Sequence, residues 1–268
     1  MITFPTCKIN LGLHILFKRT DGYHELETAM LELPISDVLE VLADENPRFF
    51  SSGLGIPAGE NLCQTAEKIL RNNYSFPKTS TYLHKNIPLG GGLAGGSSDA
   101  VFFLKLINEK IDLKNSTKKL LDYSAQLGSD CAFFVNGGMQ ICSGRGEITH
   151  PIQNYLKGYF IVLINLGIHV STKEAFSNVK PLNERNSIAS ILEQPIKNWK
   201  DLLKNDFEES VFPLYPVLNE LKDKLYKSGA VYASMSGSGS TMYGVFRKPT
   251  DLKLEIPENG FLKWVEIS

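Results

Sequence analysis

The densest chemical signal in the chain is the run Pro88-Leu-Gly-Gly-Gly-Leu-Ala-Gly-Gly-Ser-Ser-Asp-Ala100. Five glycines between positions 90 and 96 let the backbone reach positive φ and come close to a ligand. Two serines follow where an apolar helix should open. Unpaired N–H groups and the positive end of a helix dipole would then converge on one spot, a cradle for phosphate. Gly90, Gly92 and Gly95 also satisfy the dinucleotide pattern GxGxxG, with Asp112 near the place of a ribose-binding acid. A loop this rich in glycine meets that pattern by chance, and the strand before it is polar and ends in Pro88. A Walker A loop needs Lys-Ser/Thr after its last glycine, and Ser97-Ser98 stands there instead. A plain surface turn is the bland alternative, but the segment behind it, Val101–Ile107, is too apolar for a linker.

The elements that must position this loop are legible in outline. Lys8–Leu16 alternates polar and apolar residues over part of its length, as a half-buried strand does, and Val38–Leu42 is a second short strand. Asn61 opens a helix with a stripe of Leu62, Ala66, Ile69 and Leu70. Thr81–Ile87 reads as a strand running into the glycine loop, and the helix behind the loop extends to about Glu109. Ser116 or Thr117 caps a third helix, which Gly128 ends. Turns punctuate residues 136–146. Beyond them come an apolar strand (Tyr159–Asn165), helices around Trp199–Phe207 and Val217–Tyr226, a strand–loop–strand through Ser236–Ser240, and a last strand over Phe261–Ile267. Helices and strands mix without a regular βαβ period, which predicts an α+β fold. The softest boundary lies between Pro151 and Lys157.

Bulk properties narrow the function. The 268 residues carry 43% hydrophobic and 21% charged side chains and a formal net charge of −1, so no global positive field draws in nucleic acid. Cys7, Cys63, Cys131 and Cys142 form no C-x-x-C pair, which suits neither a zinc site nor a disulfide framework. The first residues lack the build of a signal peptide, and the longest apolar stretch, Gly158–Val170, is too short to cross a bilayer. The expected location is the cytoplasm, with a small-molecule substrate, no nucleic-acid or membrane partner, and a monomer or homodimer.

The glycine loop closely resembles the phosphate loop of the GHMP kinase superfamily, Pro-x-Gly-x-Gly-Leu-Gly/Ala-Ser/Gly-Ser-Ser. Two further motifs fall where that superfamily places them: Cys7-Lys-Ile-Asn-Leu11 near the amino terminus and Ser234-Met-Ser-Gly-Ser-Gly-Ser-Thr241 near the carboxyl terminus. Arg19-Thr-Asp-Gly-Tyr-His24 resembles the hallmark of one branch, whose alcohol substrate carries a cytidine diphosphate group. The resemblance implies a two-domain GHMP kinase fold. Its parts are an amino-terminal ribosomal-S5-like ATP-binding domain over residues 1–154 and a carboxy-terminal ferredoxin-like substrate domain over 155–268, with the active site in their cleft.

It also implies ATP as co-substrate. Asn61 and Lys85 line the adenine pocket in this reading, although a helix N-cap and a solvated lysine are equally ready explanations. Pro88, Leu89, Gly90, Gly91, Gly92, Leu93, Ala94, Gly95, Gly96, Ser97 and Ser98 surround the phosphates, the two serines taking phosphate oxygens or a Mg²⁺ ion. Mg²⁺ is expected with ATP, but no acidic ligand for it stands out and the metal residues stay unassigned. Ala94 and Val101 stand where many relatives carry glycine or alanine, which touches only fine nucleotide preference.

Phosphoryl transfer needs alignment, charge neutralisation and a proton acceptor. Asp130, in Leu127-Gly-Ser-Asp, matches the catalytic aspartate of the superfamily, although an isolated Asp before an apolar run is as readily a helix N-cap. Lys8 is its implied partner: an ammonium beside the carboxylate keeps it ionised and stabilises alkoxide character. Asn10 would orient Asp130 or the substrate. Tyr23 and Phe176 would sandwich the cytosine, His24 would bond its edge, and Thr172 would be a polar contact. The Ser236–Ser240 loop would close over the substrate. The implied reaction phosphorylates the 2-hydroxyl of a cytidine-diphosphate-linked methylerythritol in the non-mevalonate isoprenoid route. The rivals are kinases of mevalonate or homoserine, disfavoured by Tyr23-His24, and a silent sensor of the same fold, disfavoured by Lys8 with Asp130.

Overall fold

A computed structural model describes residues 1–57 and 59–268. In chain order the strands are β1 (Ile2–Thr3), β2 (Thr6–Lys18), β3 (His24–Ser36), β4 (Val38–Ala43), β5 (Phe49–Gly53), β6 (Thr79–Lys85), β7 (Met139–Gly144), β8 (Ile148–Pro151), β9 (Phe160–Asn165), β10 (Tyr232–Met235), β11 (Met242–Phe246) and β12 (Phe261–Glu266). The helices are α1 (Leu62–Arg71), α2 (Gly95–Lys110), α3 (Thr117–Leu127), α4 (Cys131–Asn136), α5 (Thr172–Phe176), α6 (Ile188–Leu192), α7 (Trp199–Leu202), α8 (Phe207–Leu214) and α9 (Pro216–Lys227).

The chain forms two compact units that do not follow a single cut. The first comprises Met1–Lys8, Pro34–Leu89 and Ala94–Gly137; the second comprises Ile9–Leu33, Gly90–Leu93 and Gly138–Ser268. The division 1–154 and 155–268 therefore differs from the observed grouping. The reason is the hairpin of β2 and β3, which hydrogen-bonds to β7 and sends Leu13 and Ile15 into the core of the carboxy-terminal half. There the Leu13 N–H donates to the Lys204 carbonyl at 2.8 Å and the Ile15 N–H to Asp206 Oδ2 at 2.7 Å.

The first unit is a sheet in the order β1-β4-β6-β5, with α1 packed on α2 and α4 on both α2 and α3. Its helices begin where the sequence says they should. Asn61 Oδ1 accepts from the Cys63 N–H at 2.8 Å while Gln64 Oε1 accepts from the Asn61 N–H at 2.9 Å, a capping box that satisfies two orphan donors. Ser116 caps α3 and Gly128 ends it. The helix behind the glycine loop, α2, buries Val101, Phe103, Leu104, Leu106 and Ile107, so the loop is mounted on an element held by apolar contact.

The second unit holds two sheets, β2-β3-β7-β8 and the antiparallel β10-β11-β9-β12. The latter has the strand order of a ferredoxin-like sheet. Its last crossover is not helical: Leu252, Leu254 and Ile256 alternate along an irregular segment and pack on the core where a helix face would lie. The helix expected around Trp199–Phe207 is broken in two, α7 and α8. Asn205 sits in the break, its Nδ2 donating to the carbonyls of Met235 and Gly237, both at 2.8 Å, and its Oδ1 accepting from the Phe207 N–H at 3.0 Å. A continuous helix would withdraw those bonds from buried carbonyls. Among the described residues no helix is long and apolar enough to cross a membrane.

Candidate active site

Asp130 precedes α4 but does not cap it. Its backbone is already helical, at φ −78° and ψ −9°, and its side chain makes no capping bond. The carboxylate instead faces Lys8, with Nζ 3.2 Å from Oδ2. The pair is asymmetric. The Lys8 side chain is 2% exposed and that of Asp130 33%, so a buried cation backs a carboxylate that solvent can reach. Both residues belong to the first unit. Next to Asp130, the Cys131 thiol is pushed up to about 12, chiefly by burial. The helix that Asp130 precedes, α4, packs on α2. Ser98 is fully buried and its hydroxyl has no partner among the described residues, a vacancy that fits a phosphate oxygen.

The tip of the glycine loop, Gly90–Leu93, groups with the second unit. Ser236 Oγ donates to the Gly92 carbonyl at 2.8 Å, and the Thr241 N–H donates to the Gly91 carbonyl at 3.2 Å. Gly92 has φ +78°, and a Cβ there would lie 2.0 Å from the Ser236 carbonyl oxygen. The Asn10 N–H donates to Ser236 Oγ at 3.2 Å, and the Tyr243 hydroxyl to the Asn10 carbonyl at 2.8 Å. Ser236, Ser240 and Thr241 are buried. The segment Ser236–Ser240 is thus a brace under the loop, not a hairpin poised over substrate. Ser236 and Ser240 spend their hydroxyls on the Gly92 and Ile168 carbonyls, since an unpaired buried hydroxyl would cost free energy, while Ser238 between them is half-buried.

Lys85 and Asn10 are both buried and hydrogen-bonded within the protein. The Lys85 ammonium, assigned above to an adenine pocket, is buried between the carboxylates of Asp37 and Asp99, 2.6 Å from the latter. Burial opposes that charge, but the two carboxylates outweigh it and hold the ammonium above its ordinary range. Asn10 is buried, and its Nδ2 donates to Thr28 Oγ1 at 3.0 Å. Asn61 keeps its place at the start of α1, where its side chain is the N-cap described above.

A separate cluster lies in the second unit. Arg19–Tyr23 makes a tight turn: the Arg19 N–H donates to the Tyr23 carbonyl and the Tyr23 N–H to Asp21 Oδ1. Tyr23 stands out from that turn with 55% of its surface exposed. Its ring carries the Arg145 guanidinium at 4.9 Å, a cation–π contact. His24 is stacked on Phe176, ring centroids 4.9 Å apart at 19°, and Phe207 meets Phe176 edge-on at 4.8 Å. The face of Phe176 expected to receive a base is therefore covered by His24. Burial, with the nearby charge of Lys18, lowers the His24 imidazole from its ordinary value, so it is neutral near pH 7. A neutral ring can stack and hydrogen-bond at once. Thr172 is the first residue of α5, behind the Ser171–Glu174 capping box.

Sequence reasoning missed Arg145, Asp37 and Asp99. Arg145 lies 122 positions from the ring it covers, and Asp37 is an isolated acid at the start of β4, so neither leaves a local trace. Asp99 had a signal: it follows the Ser-Ser pair directly.

The model of the GHMP kinases N terminal domain matches residues 61–140, and that of the GHMP kinases C terminal matches residues 187–259. A 4-diphosphocytidyl-2-C-methyl-D-erythritol kinase of Bacteroides fragilis is 48% identical over 253 residues, covering 92% of each chain. One from Azobacteroides pseudotrichonymphae is 44% identical over 252 residues, 93% of this chain and 94% of that one. A crystal structure of 4-(cytidine 5'-diphospho)-2C-methyl-D-erythritol kinase superposes with a TM-score of 0.79 at 29% identity, covering 91% of this chain and 90% of that one.

Proposed function

The chain belongs to the GHMP kinases and, among them, to the 4-diphosphocytidyl-2-C-methyl-D-erythritol kinases, and on that footing we propose how its residues carry out the transfer. The reaction moves the γ-phosphate of ATP to the 2-hydroxyl of the cytidine-linked methylerythritol, a step of the non-mevalonate route to isoprenoid precursors. The observation that carries the assignment of roles is the Lys8–Asp130 pair, whose carboxylate is kept off its helix and open to solvent. The substrate oxygen forms a bond to the γ-phosphorus while its proton passes to Asp130. The bond from that phosphorus to the bridging oxygen breaks, and ADP leaves with the electron pair. Lys8, 3.2 Å from the Asp130 carboxylate, offsets negative charge on the attacking oxygen.

The N–H groups at the start of α2 and the Ser98 hydroxyl take the phosphate oxygens. Mg²⁺, which Ser97 at the start of α2 would help to hold, would supply charge neutralisation to the phosphates. Among the described residues no group of three His, Cys, Asp or Glu is placed to hold a metal, so the ion would arrive on the nucleotide. In the second unit, Tyr23, His24 and Phe176 bind the cytosine. Because His24 covers Phe176, the base stacks on Tyr23 and bonds to His24, or displaces His24 to enter between the rings. Four free, buried thiols support a working place in the reducing cytoplasm.

A coupled assay of ADP release against alcohols with and without a cytidine diphosphate group tests the reading. Turnover should be confined to the cytidine-linked alcohol; equal turnover of mevalonate or homoserine would sink it. Tyr23→Ala should raise the KM for that substrate about 5- to 150-fold, the equivalent of roughly 1–3 kcal/mol of base stacking. The KM for ATP and the melting temperature should stay level, because the ring is largely exposed. A lower melting temperature with both KM values intact would instead make Tyr23 a packing residue.

A further inference from the structure

Three buried charges meet at one point of the first unit, outside the groups given a part in the chemistry. Lys85 ends β6, three residues before Pro88, and its ammonium donates to Asp37 Oδ2 and, at 2.6 Å, to Asp99 Oδ2. All three side chains are at most 1% exposed. The other oxygen of Asp37 accepts from the N–H groups of Asn86 at 2.6 Å and Ile87 at 2.9 Å, the residues that lead into the glycine loop. Asp99 lies on α2 directly after Ser97 and Ser98, where the chain leaves the loop. A Cβ on Gly95 would lie 2.8 Å from Ile87 Cγ2 and 3.3 Å from Lys85 Nζ, so the first turn of α2 presses on the same ammonium.

We propose that Asp37 and Asp99, acting through Lys85, are positioning residues for phosphoryl transfer. The ammonium ties the residues entering the glycine loop to those leaving it and holds both in the form that receives the triphosphate. Stability alone is a poor reason for such a cluster. Taking ions out of water carries a desolvation cost that their mutual attraction often fails to recover, and well-packed apolar side chains can serve as well or better. What apolar groups cannot supply is direction. One ammonium with three donors sets the spacing of two carboxylates, one of them bonded to the entering strand and the other carried by the helix. The loop has five glycines and little side-chain packing of its own, so its shape must be imposed at its ends.

The inference rests on the reading of this loop as the ATP site, and the test separates the two. Asp99→Ala removes the tether at the exit and leaves a balanced Lys85–Asp37 pair, so the protein should still fold. Affinity for a non-hydrolysable ATP analogue, measured by calorimetry, should fall tenfold or more, and the KM for ATP should rise in step. The KM for the cytidine-linked alcohol should not change. Asp99→Asn keeps an oxygen that can accept from Lys85 and should return the ATP KM to within threefold of the parent. A folded Asp99→Ala enzyme with parental ATP affinity would overturn the inference, as would Asp99→Asn that binds ATP as weakly as Asp99→Ala. Failure of the parent enzyme itself to bind the analogue would instead overturn the ATP reading. If Asp99→Ala does not fold, Asp37→Asn decides on the same measurements. It keeps an acceptor for the two N–H groups but weakens the bond to Lys85. An ATP KM that rises tenfold beside an unchanged alcohol KM supports the tether, and an unchanged ATP KM overturns it.

Discussion

Asp130→Asn is expected to bind ATP as the parent does while turnover falls about 10²–10⁴-fold, the range for loss of a general base. The isosteric amide preserves the shape of the site but cannot accept the hydroxyl proton, and it removes the charge that Lys8 faces at 3.2 Å. A capping role predicts the opposite. Loss of a cap would lower stability by about 0.5–2 kcal/mol and leave turnover alone. The structure disfavours that role at the outset, because the Asp130 side chain makes no bond to α4. Single-turnover kinetics together with a melting curve distinguish the two. Turnover within about threefold of the parent would remove Asp130 from the chemistry. Part of the observed loss would also reflect the buried Lys8 ammonium losing the carboxylate it faces at 3.2 Å. Lys8→Met with Asp130→Asn addresses this: if the pair acts as one device, the double variant should be little slower than the single one.

Gly92→Ala should weaken ATP binding by roughly 3 kcal/mol or more, about 150-fold, with the fold retained. The added methyl would lie 2.0 Å from a backbone oxygen of the Ser236 brace, and backbone cannot move aside as a flexible side chain can. Gly92 also holds φ +78°, a conformation that costs a residue with a Cβ about 1–2 kcal/mol. Loop and brace must then part, which turns the phosphate-binding N–H groups away. Losing two bonds to a charged phosphate, at about 1.5–3 kcal/mol each, accounts for the size of the effect. Calorimetry with an ATP analogue checks it. Undiminished affinity would mean that the tip of the loop plays no part in nucleotide binding. Gly22→Ala is a useful control. It too has positive φ, at +87°, but a Cβ there meets nothing within 4 Å, so only local strain is added.

Local order in the sequence was sufficient for much of this protein. The glycine run, its helix, the capping residues Asn61 and Ser116 and the stop at Gly128 are short-range signals, each acting within one turn or loop, and each stands where the pattern put it. The kinase family was legible for the same reason, since its motifs are contiguous strings. What the tertiary structure alone decided involves partners far apart in the chain. Lys85 reads as an adenine-pocket residue or a solvated strand lysine, but Asp37 and Asp99 draw it inside, 48 and 14 positions away. The Ser236–Ser240 loop reads as one that closes over the substrate, yet the Gly92 carbonyl and the Asn10 amide take Ser236 into the interior. Phe176 was expected to wait for a base, and His24, 152 positions earlier, already covers it. Asp130 could have been a cap or a base on sequence grounds, and only its backbone angles and the approach of Lys8 decided between them. Charge and hydrogen-bonding partners are settled by proximity in space, and in water every one of these side chains would be satisfied by solvent. Which of them leaves solvent, and for whose company, is fixed when the sheets close.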